Sequence, residues 1–301
     1  MKKKSLIWIL AFISVFMFGE RIEAYSVAVH EEITIRVIDE IKNKWLNKYV
    51  NDYIGLSNGV TETVDKKQIR RWVEQGSKNE DYTLDILTSH YHNPITNKGL
   101  TERGLTIGES AYDRANNPNN PWSWQKAREN LYKGLTLSTK TEREKALAES
   151  FEALGHLVHL VQDMSVPAHT RDDMHMPYVD GDPYEAYTHN NRRTLNYTAD
   201  PFLYWNVSVS PYAPKHFWDT DTYNGNNPYG SGYIGLSEYT NANFFSKDTI
   251  FKSFIHPAKE RTNYNDFNSL AIVIITTPDN ISHETLYILG IKIITIKFLQ
   301  D

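Results

Sequence analysis

Residues 142–169 read EREKALAESFEALGHLVHLVQDMSVPAH, and this stretch decides both the fold class and the candidate chemistry. Residues 142–162 are rich in Ala, Leu and Glu, which favour the helical state. The sequence therefore predicts a long helix over 142–162, which cannot continue through Pro167.

Four polar residues of this helix share one face. At about 100° per residue, positions i, i+4, i+7 and i+11 fall on a narrow stripe, and they are occupied by Glu152, His156, His159 and Asp163. The surrounding residues are apolar, so we expect the stripe to be buried and to need polar partners. A shared metal ion would satisfy it; the alternative is a set of core histidines bonded to backbone carbonyls.

The composition limits the kind of site that the chain can build. The 301 residues include 11 His and no Cys, and the formal net charge is −5. Without Cys there are no disulfides, thiolate ligands or Cys nucleophiles, so a metal site must use His, Asp, Glu and backbone groups. The negative charge argues against a basic protein held on nucleic acid by phosphate contacts.

The rest of the chain predicts a mainly α fold, a compact helical bundle with long loops and short strands near the C-terminus. We expect helices over 27–46 and 64–75, the second ended by Gly76, and a helix start at Trp122 after the Asn/Pro-rich loop 116–121. We expect a surface loop over 219–233 and a strand over 286–299. The proposed division is a signal peptide over 1–24, a helical domain over 25–260 and a C-terminal extension over 261–301.

The N-terminus has the pattern of an export signal. Lys2, Lys3 and Lys4 precede an apolar run over 6–18, and Ala24 can be the last residue removed. The run is short for a membrane span, although an uncleaved anchor is the alternative. We therefore expect a secreted protein whose mature chain begins at Tyr25.

Two short motifs suggest other chemistries. Residues 55–59, GLSNG, match the GxSxG pattern of serine hydrolases but lack a preceding buried strand, so we interpret them as a turn. Residues 30–34, HEEIT, begin like a zinc protease motif but lack its second His.

Further His and acidic residues extend the candidate site beyond the helix. They are His30, Glu80, Asp81, His90, His169, His175 and Glu185. A His/Asp/Glu set without Cys suits several zinc ions in a catalytic site.

These residues resemble the superfamily of zinc-dependent phospholipases C and single-strand-specific nucleases. Residues 159–169, HLVQDMSVPAH, have its HxxxD pattern, followed by Pro and by a His six residues after the Asp. Residues 25–30 are similar to its mature N-terminus, with Tyr25 in place of Trp. Asp81 and the segment HYHNP over 90–94 match its Asp and its HFYDP segment. The resemblance covers about 25–185.

The resemblance implies three zinc ions. Asp81, His90, His159 and Asp163 would bind the first, and Asp163 would bridge to a second that is also bound by His30 and by the amine and carbonyl of Tyr25. The third would take His169 with His175 and Glu185. The family's HxxxE pattern is absent here, since Gly181 precedes Glu185 by four residues, and the acids that could substitute are Asp172, Asp173, Asp180 and Asp182.

The resemblance also implies an activity. A zinc-activated water would attack the phosphorus of a phosphodiester, with Asp81 as ligand and base. Independently of the resemblance, Tyr82 follows Asp81 directly, where an aromatic ring could contact a choline head group or a nucleic-acid base. Phospholipid head groups are the expected substrate, which would bring the chain into peripheral contact with a membrane; no protein partner is implied. The alternatives are a single-strand nuclease or nucleotidase on the same scaffold and a non-catalytic protein stabilised by metal.

Overall fold

The structure, a computed structural model, describes residues 27–82, 88–102, 104–175, 181–193, 198–199, 218–225, 235–249, 282–288 and 291–298. The predicted signal peptide over 1–24 and the predicted ligand Tyr25 lie outside these residues. Asp180 and most of the predicted extension over 261–301 also lie outside them.

Helices make up most of the described chain, which confirms the predicted mainly α fold. They are α1 (Val27–Ile41), α2 (Asn47–Ile54), α3 (Ile69–Asn79), α4 (Ala111–Asn116), α5 (Trp124–Thr136), α6 (Lys140–Asp163), α7 (Pro167–Thr170), α8 (Pro183–Asn191) and α9 (Leu236–Asn243). A π-helical turn, Lys42–Leu46, joins α1 to α2, and 3-10 turns occupy Gly59–Thr61, Glu80–Tyr82 and Lys247–Thr249.

The strands are few and antiparallel. Two small hairpins pair β1 (Thr63–Val64) with β2 (Lys67–Gln68) and β3 (Thr101–Glu102) with β4 (Leu105–Thr106). A third sheet has the order β5-β7-β6 and contains β5 (Thr198–Ala199), β6 (Ser282–Ile288) and β7 (Ile291–Phe298). The single strand predicted over 286–299 is therefore the end of β6 followed by β7.

Helix α3 differs from its prediction at both ends. The sequence predicts a helix over 64–75, but α3 is Ile69–Asn79. Asp65 and Lys66 adopt positive φ values of 44° and 73° at the turn of the β1–β2 hairpin, so the chain cannot be helical there. Gly76 does not end the helix, because it lies inside α3, where that helix meets α6.

Helices α3 and α6 cross with their backbones in direct contact at two glycines. A Cβ on Gly76 would lie 1.9 Å from the carbonyl oxygen of Glu152, and one on Gly155 would lie 2.2 Å from that of Val73. Only glycine leaves room for such an approach. The crossing places the C-terminal end of α3 against the polar stripe of α6.

Helix α6 is the central element of the described fold. Its residues contribute to two apolar clusters, one shared with α1 and α9 and the other with α2 and α3. Leu157 and Leu160 belong to the first cluster, and Leu147 and Phe151 belong to the second. Because α6 is covered on several sides, its polar stripe must find partners within the protein. Of the helices that the structure describes, none has the length and apolar character needed to cross a bilayer.

Two loop predictions have different outcomes. Gly55, with φ of 79°, ends α2, and Ser57 is exposed, so the GxSxG match is a turn as predicted. The loop predicted over 219–233 is confirmed for its described part, 219–225, but it lies only partly at the surface, because Asp219 and Tyr223 are buried while Asp221 and Thr222 are exposed. The buried carboxylate of Glu238 in α9 accepts hydrogen bonds from the backbone N–H groups of residues 220, 222, 223 and 235, which holds this segment against the core.

Candidate metal centre

Six of the predicted ligands converge near the C-terminal end of α6. His159 and Asp163 are in α6 itself, and His169 follows in α7 after the break at Pro167. His30 comes from α1, and Asp81 comes from the 3-10 turn after α3. His90 belongs to the loop after that turn. All six are buried.

The first group surrounds one oxygen of Asp163. His159 Nε2 lies 3.4 Å and His90 Nδ1 lies 3.5 Å from Asp163 Oδ2. The same two nitrogens lie 3.2 Å and 3.3 Å from Asp81 Oδ1. Two imidazole nitrogens thus face two carboxylates, and this group contains the four residues that the sequence predicts for the first ion.

The second group surrounds the other oxygen of Asp163. His30 Nε2 and His169 Nδ1 each lie 3.4 Å from Asp163 Oδ1. The sequence predicts His30 and Asp163 together here, with Tyr25, and the structure adds one nitrogen of His169. Asp163 therefore offers one oxygen to each of two groups, as a bridging carboxylate would.

The third group lies on the far side of His169. His175 Nε2 lies 2.9 Å from Glu185 Oε1, and His169 Nε2 lies 3.7 Å from the same oxygen. The sequence predicts this combination over its alternatives. Three of those alternatives are engaged elsewhere: Asp172 accepts from Thr101, Asp173 accepts from the N–H of residue 248, and Asp182 caps α8.

Hydrogen bonds to the outer nitrogens orient two of the histidines. His159 Nδ1 donates to the carbonyl oxygen of Ser77 at 2.6 Å, and His30 Nδ1 donates to Gln162 Oε1 at 2.6 Å. In each ring Nδ1 is the donor of this bond, which leaves Nε2 directed at the carboxylates. Gln162 in turn donates to Thr34, which fixes its amide. Sequence reasoning missed the roles of Gln162 and Ser77, which no ligand motif reveals.

Two residues of the polar stripe of α6 belong to the candidate metal site, and the other two form hydrogen bonds elsewhere. His159 and Asp163 join the carboxylate and imidazole groups, but Glu152 accepts a hydrogen bond from Gln75 at 2.7 Å, and His156 donates to Glu80 at 2.5 Å. The expectation that one ion satisfies the whole stripe is therefore wrong for Glu152 and His156. Helix α3 supplies Gln75, and the 3-10 turn that follows it supplies Glu80, because α3 crosses α6 so closely.

The electrostatics of the cluster depend on the mutual proximity of acids and imidazoles. Burial alone would raise the pKa of Asp163, but the imidazoles of His159, His90 and His169 hold it well below its usual range. Burial alone would lower the pKa of His159, but Asp81 and Asp163 raise it well above its usual value. Burial would also lower the pKa of His175, which Glu185 raises to about 9. For His90 burial dominates and lowers its pKa to about 4.

Many polar atoms of the cluster are buried without a hydrogen-bond partner among the described residues. They are both carboxylate oxygens of Asp81 and of Asp163, both ring nitrogens of His90 and of His169, and His159 Nε2. Leaving such atoms unsatisfied costs about 1–3 kcal/mol each, so a shared cation is their natural partner. Three sets have their ligand atoms close enough to hold a metal ion: His30/Asp81/His159, His90/His159/Asp163 and His169/His175/Glu185. Buried N and O donors thus fit a metal site in this chain.

Aromatic residues border the site. Tyr82, the predicted substrate contact, is 44% exposed beside the buried Asp81, so its ring is accessible from outside. Tyr91 is buried, and its ring packs on His169 with the centroids 4.5 Å apart. Its hydroxyl lies 3.4 Å from His175 Nδ1, a contact that the sequence does not predict.

No protein-family model, curated protein or solved structure matches this chain. The function must therefore be argued from the site itself.

Proposed function

We propose that this protein is a secreted zinc-dependent phosphodiesterase that hydrolyses the head-group phosphodiester of phospholipids, in the manner of a phospholipase C. The observation that carries the proposal is the sharing of Asp163, whose two carboxylate oxygens each face a separate pair of imidazole nitrogens. Pairs of adjacent metal ions occur in phosphatases and nucleases, as well as in aminopeptidases, and can stabilise both the attacking and the leaving oxygen of a phosphoryl displacement.

Zinc fits the donors because imidazole and carboxylate groups without thiolate are common at catalytic zinc sites. Asp81, His90, His159 and Asp163 would hold one ion, His30 and Asp163 a second with Tyr25, and His169, His175 and Glu185 a third. When bound, zinc lowers the pKa of a coordinated water to about 7 and offsets the negative charge of a phosphodiester.

Asp81 and Tyr82 supply the groups next to the substrate. Asp81 Oδ2 has no hydrogen-bond partner among the described residues and can accept a proton from an attacking water, while Oδ1 faces the imidazoles. The exposed Tyr82 ring offers a surface for the cationic head group of a lipid such as phosphatidylcholine. Export through residues 1–24, with cleavage at Ala24, would leave the amine of Tyr25 available as a ligand.

The test combines metal content with substrate choice. Purified protein beginning at Tyr25 is dialysed, its metal content is measured, and hydrolysis of phosphatidylcholine vesicles is compared with hydrolysis of single-stranded DNA. We expect close to three zinc ions per chain and release of phosphocholine. Preference for DNA would instead favour a nuclease on this site. Bound zinc with no hydrolysis of either substrate would favour a structural role for the metal.

A further inference from the structure

A second polar cluster lies directly behind the metal-binding residues, and the proposed function does not use it. It consists of Glu80, His156 and Arg114, which we call the Glu80 network. Glu80 and His156 are buried, and the side chain of Arg114 is only 13% exposed. A buried carboxylate with two nitrogenous partners is costly to assemble, so its position next to the candidate site calls for a physical reason.

Both oxygens of Glu80 are held in place. Oε2 accepts a hydrogen bond from His156 Nδ1 at 2.5 Å, and Oε1 accepts one from Arg114 Nε at 2.5 Å. The His156 ring is itself fixed by stacking on Trp122, with the centroids 4.5 Å apart and the planes 6° from parallel. The carboxylate therefore has a defined position and little freedom to rotate.

The Glu80 network faces the outer nitrogen of His90. Glu80 Oε1 lies 4.0 Å from His90 Nε2, while His90 Nδ1 faces Asp81 Oδ1 at 3.3 Å and Asp163 Oδ2 at 3.5 Å. Neither nitrogen of His90 has a hydrogen-bond partner among the described residues. His90 thus lacks the orienting bond that Ser77 provides for His159.

We propose that Glu80 is the positioning residue for His90. An ion held by Nδ1 would leave the ring proton on Nε2, and the Glu80 carboxylate stabilises His90 in that orientation, with Nδ1 directed at Asp81 and Asp163. The bond from Arg114 does not prevent this, because a carboxylate oxygen can accept more than one hydrogen bond. The arrangement is that of a metal-binding histidine whose other nitrogen faces a carboxylate. This role of Glu80 rests on the metal site of the proposed phosphodiesterase and adds to it the residue that orients one of its ligands.

The first test reads the tautomer in the unaltered protein. In zinc-loaded, 15N-labelled protein at neutral pH, the 15N shifts of the His90 ring distinguish zinc on Nδ1 with the proton on Nε2 from zinc on Nε2 with the proton on Nδ1. We expect the Nε2–H form. A dominant Nδ1–H form would overturn the proposal whatever any variant does.

The second test uses Glu80→Gln with Glu74→Gln as its matched control. Glu74 is also buried, also lies at or next to α3, and also pairs with arginines, namely Arg70 and Arg71, but no contact joins it to a candidate ligand among the described residues. Removal of outer carboxylates of this kind weakens metal binding by about 10- to 100-fold. We expect Glu80→Gln to weaken zinc binding at one position by that factor.

The control separates positioning from general stability. Glu74→Gln should lower the urea midpoint of the metal-free protein without changing the zinc dissociation constant or the His90 shifts. Equal zinc affinity in Glu80→Gln and the unaltered protein would overturn the proposal, as would equal losses in both variants. If Glu80→Gln does not fold, the tautomer measurement on the unaltered protein decides.

These readouts do not depend on catalysis. Unaltered protein that binds zinc but hydrolyses neither vesicles nor DNA would remove the proposed phosphodiesterase and leave the Glu80 proposal to its tautomer and affinity tests. Hydrolysis by both proteins, with unchanged zinc affinity in Glu80→Gln, would overturn the Glu80 proposal and leave the proposed phosphodiesterase in place.

Discussion

Gly155→Ala tests whether the crossing of α3 and α6 sets the geometry of the candidate metal site. The substitution adds one methyl group and alters no candidate ligand. The new Cβ would lie 2.2 Å from the carbonyl oxygen of Val73, whereas ordinary contacts are 3.4–4 Å. The backbones would therefore have to separate by about 1.2 Å, because a main-chain oxygen cannot rotate away as a side chain can.

The expected magnitudes follow from that displacement. Overpacking costs about 1–3 kcal/mol, and Ala recovers up to about 1 kcal/mol through its higher helix propensity. We expect the free energy of unfolding of the metal-free protein to fall by about 2 kcal/mol. The effect on metal should be larger, because metal–ligand distances tolerate only about 0.2 Å. The shift would also stretch the 2.6 Å bond between His159 and Ser77.

The assay is urea unfolding of metal-free protein together with zinc content after dialysis. Gly134→Ala is the control, since its Cβ would meet Leu147 Cγ of α6 at 2.6 Å, and that side chain can change rotamer. Leu147 also lies about three helical turns before His159. We expect Gly134→Ala to keep its zinc. Full zinc content in Gly155→Ala would refute the idea that this crossing fixes the site.

Three further changes test other parts of the structure. Asp163→Asn should reduce zinc per chain by up to two ions in elemental analysis, because each oxygen of Asp163 faces a separate pair of imidazoles; unchanged zinc content would contradict the shared carboxylate. In metal-free protein, Glu185 raises the pKa of His175 from its ordinary 6.5 to about 9, so the contribution of His175 to stability is complete below about pH 6.5 and is lost as the pH rises through about 9. Urea midpoints should show a loss of roughly 1–3 kcal/mol over that interval that Glu185→Gln abolishes, and an equal pH dependence in that variant would be contrary to expectation. Glu238→Gln should destabilise the protein by about 2 kcal/mol or more in urea without changing its zinc content, because its carboxylate accepts from the N–H groups of residues 220, 222, 223 and 235.

The sequence predicts the fold class well where a helix is long and locally consistent. The helix expected over 142–162 is α6, Lys140–Asp163, because Ala, Leu and Glu favour helix throughout and Thr139 caps its start. The prediction for α3 is wrong because hydrophobic spacing does not reveal the positive φ values of Asp65 and Lys66. Gly76 suggests a helix end in the sequence, and only the approach of α6 explains a glycine within the helix.

In the candidate site, too, the sequence predicts contacts within one helix but not contacts that depend on how separate elements pack. His159 and Asp163 can be paired from their spacing, because four residues form about one turn of a helix. His175 and Glu185 are not in one helix, so no spacing rule joins them, and their 2.9 Å contact depends on how α8 packs. The bonds from His156 to Glu80 and from Gln75 to Glu152 escaped prediction because they join parts of the chain about 80 residues apart.

His169 couples cation binding at the group around Asp163 Oδ1 to cation binding at the group around Glu185. Its Nδ1 faces Asp163 and its Nε2 faces Glu185, and a neutral imidazole has only one lone pair to offer. A cation beside Glu185 that takes this lone pair leaves an N–H directed at Asp163, which stabilises that carboxylate without serving as its metal's ligand. The affinity at either group must then depend on what occupies the other, and by thermodynamic reciprocity the dependence is equal in both directions. A single ring thus makes the centre a cooperative unit rather than a set of independent pockets.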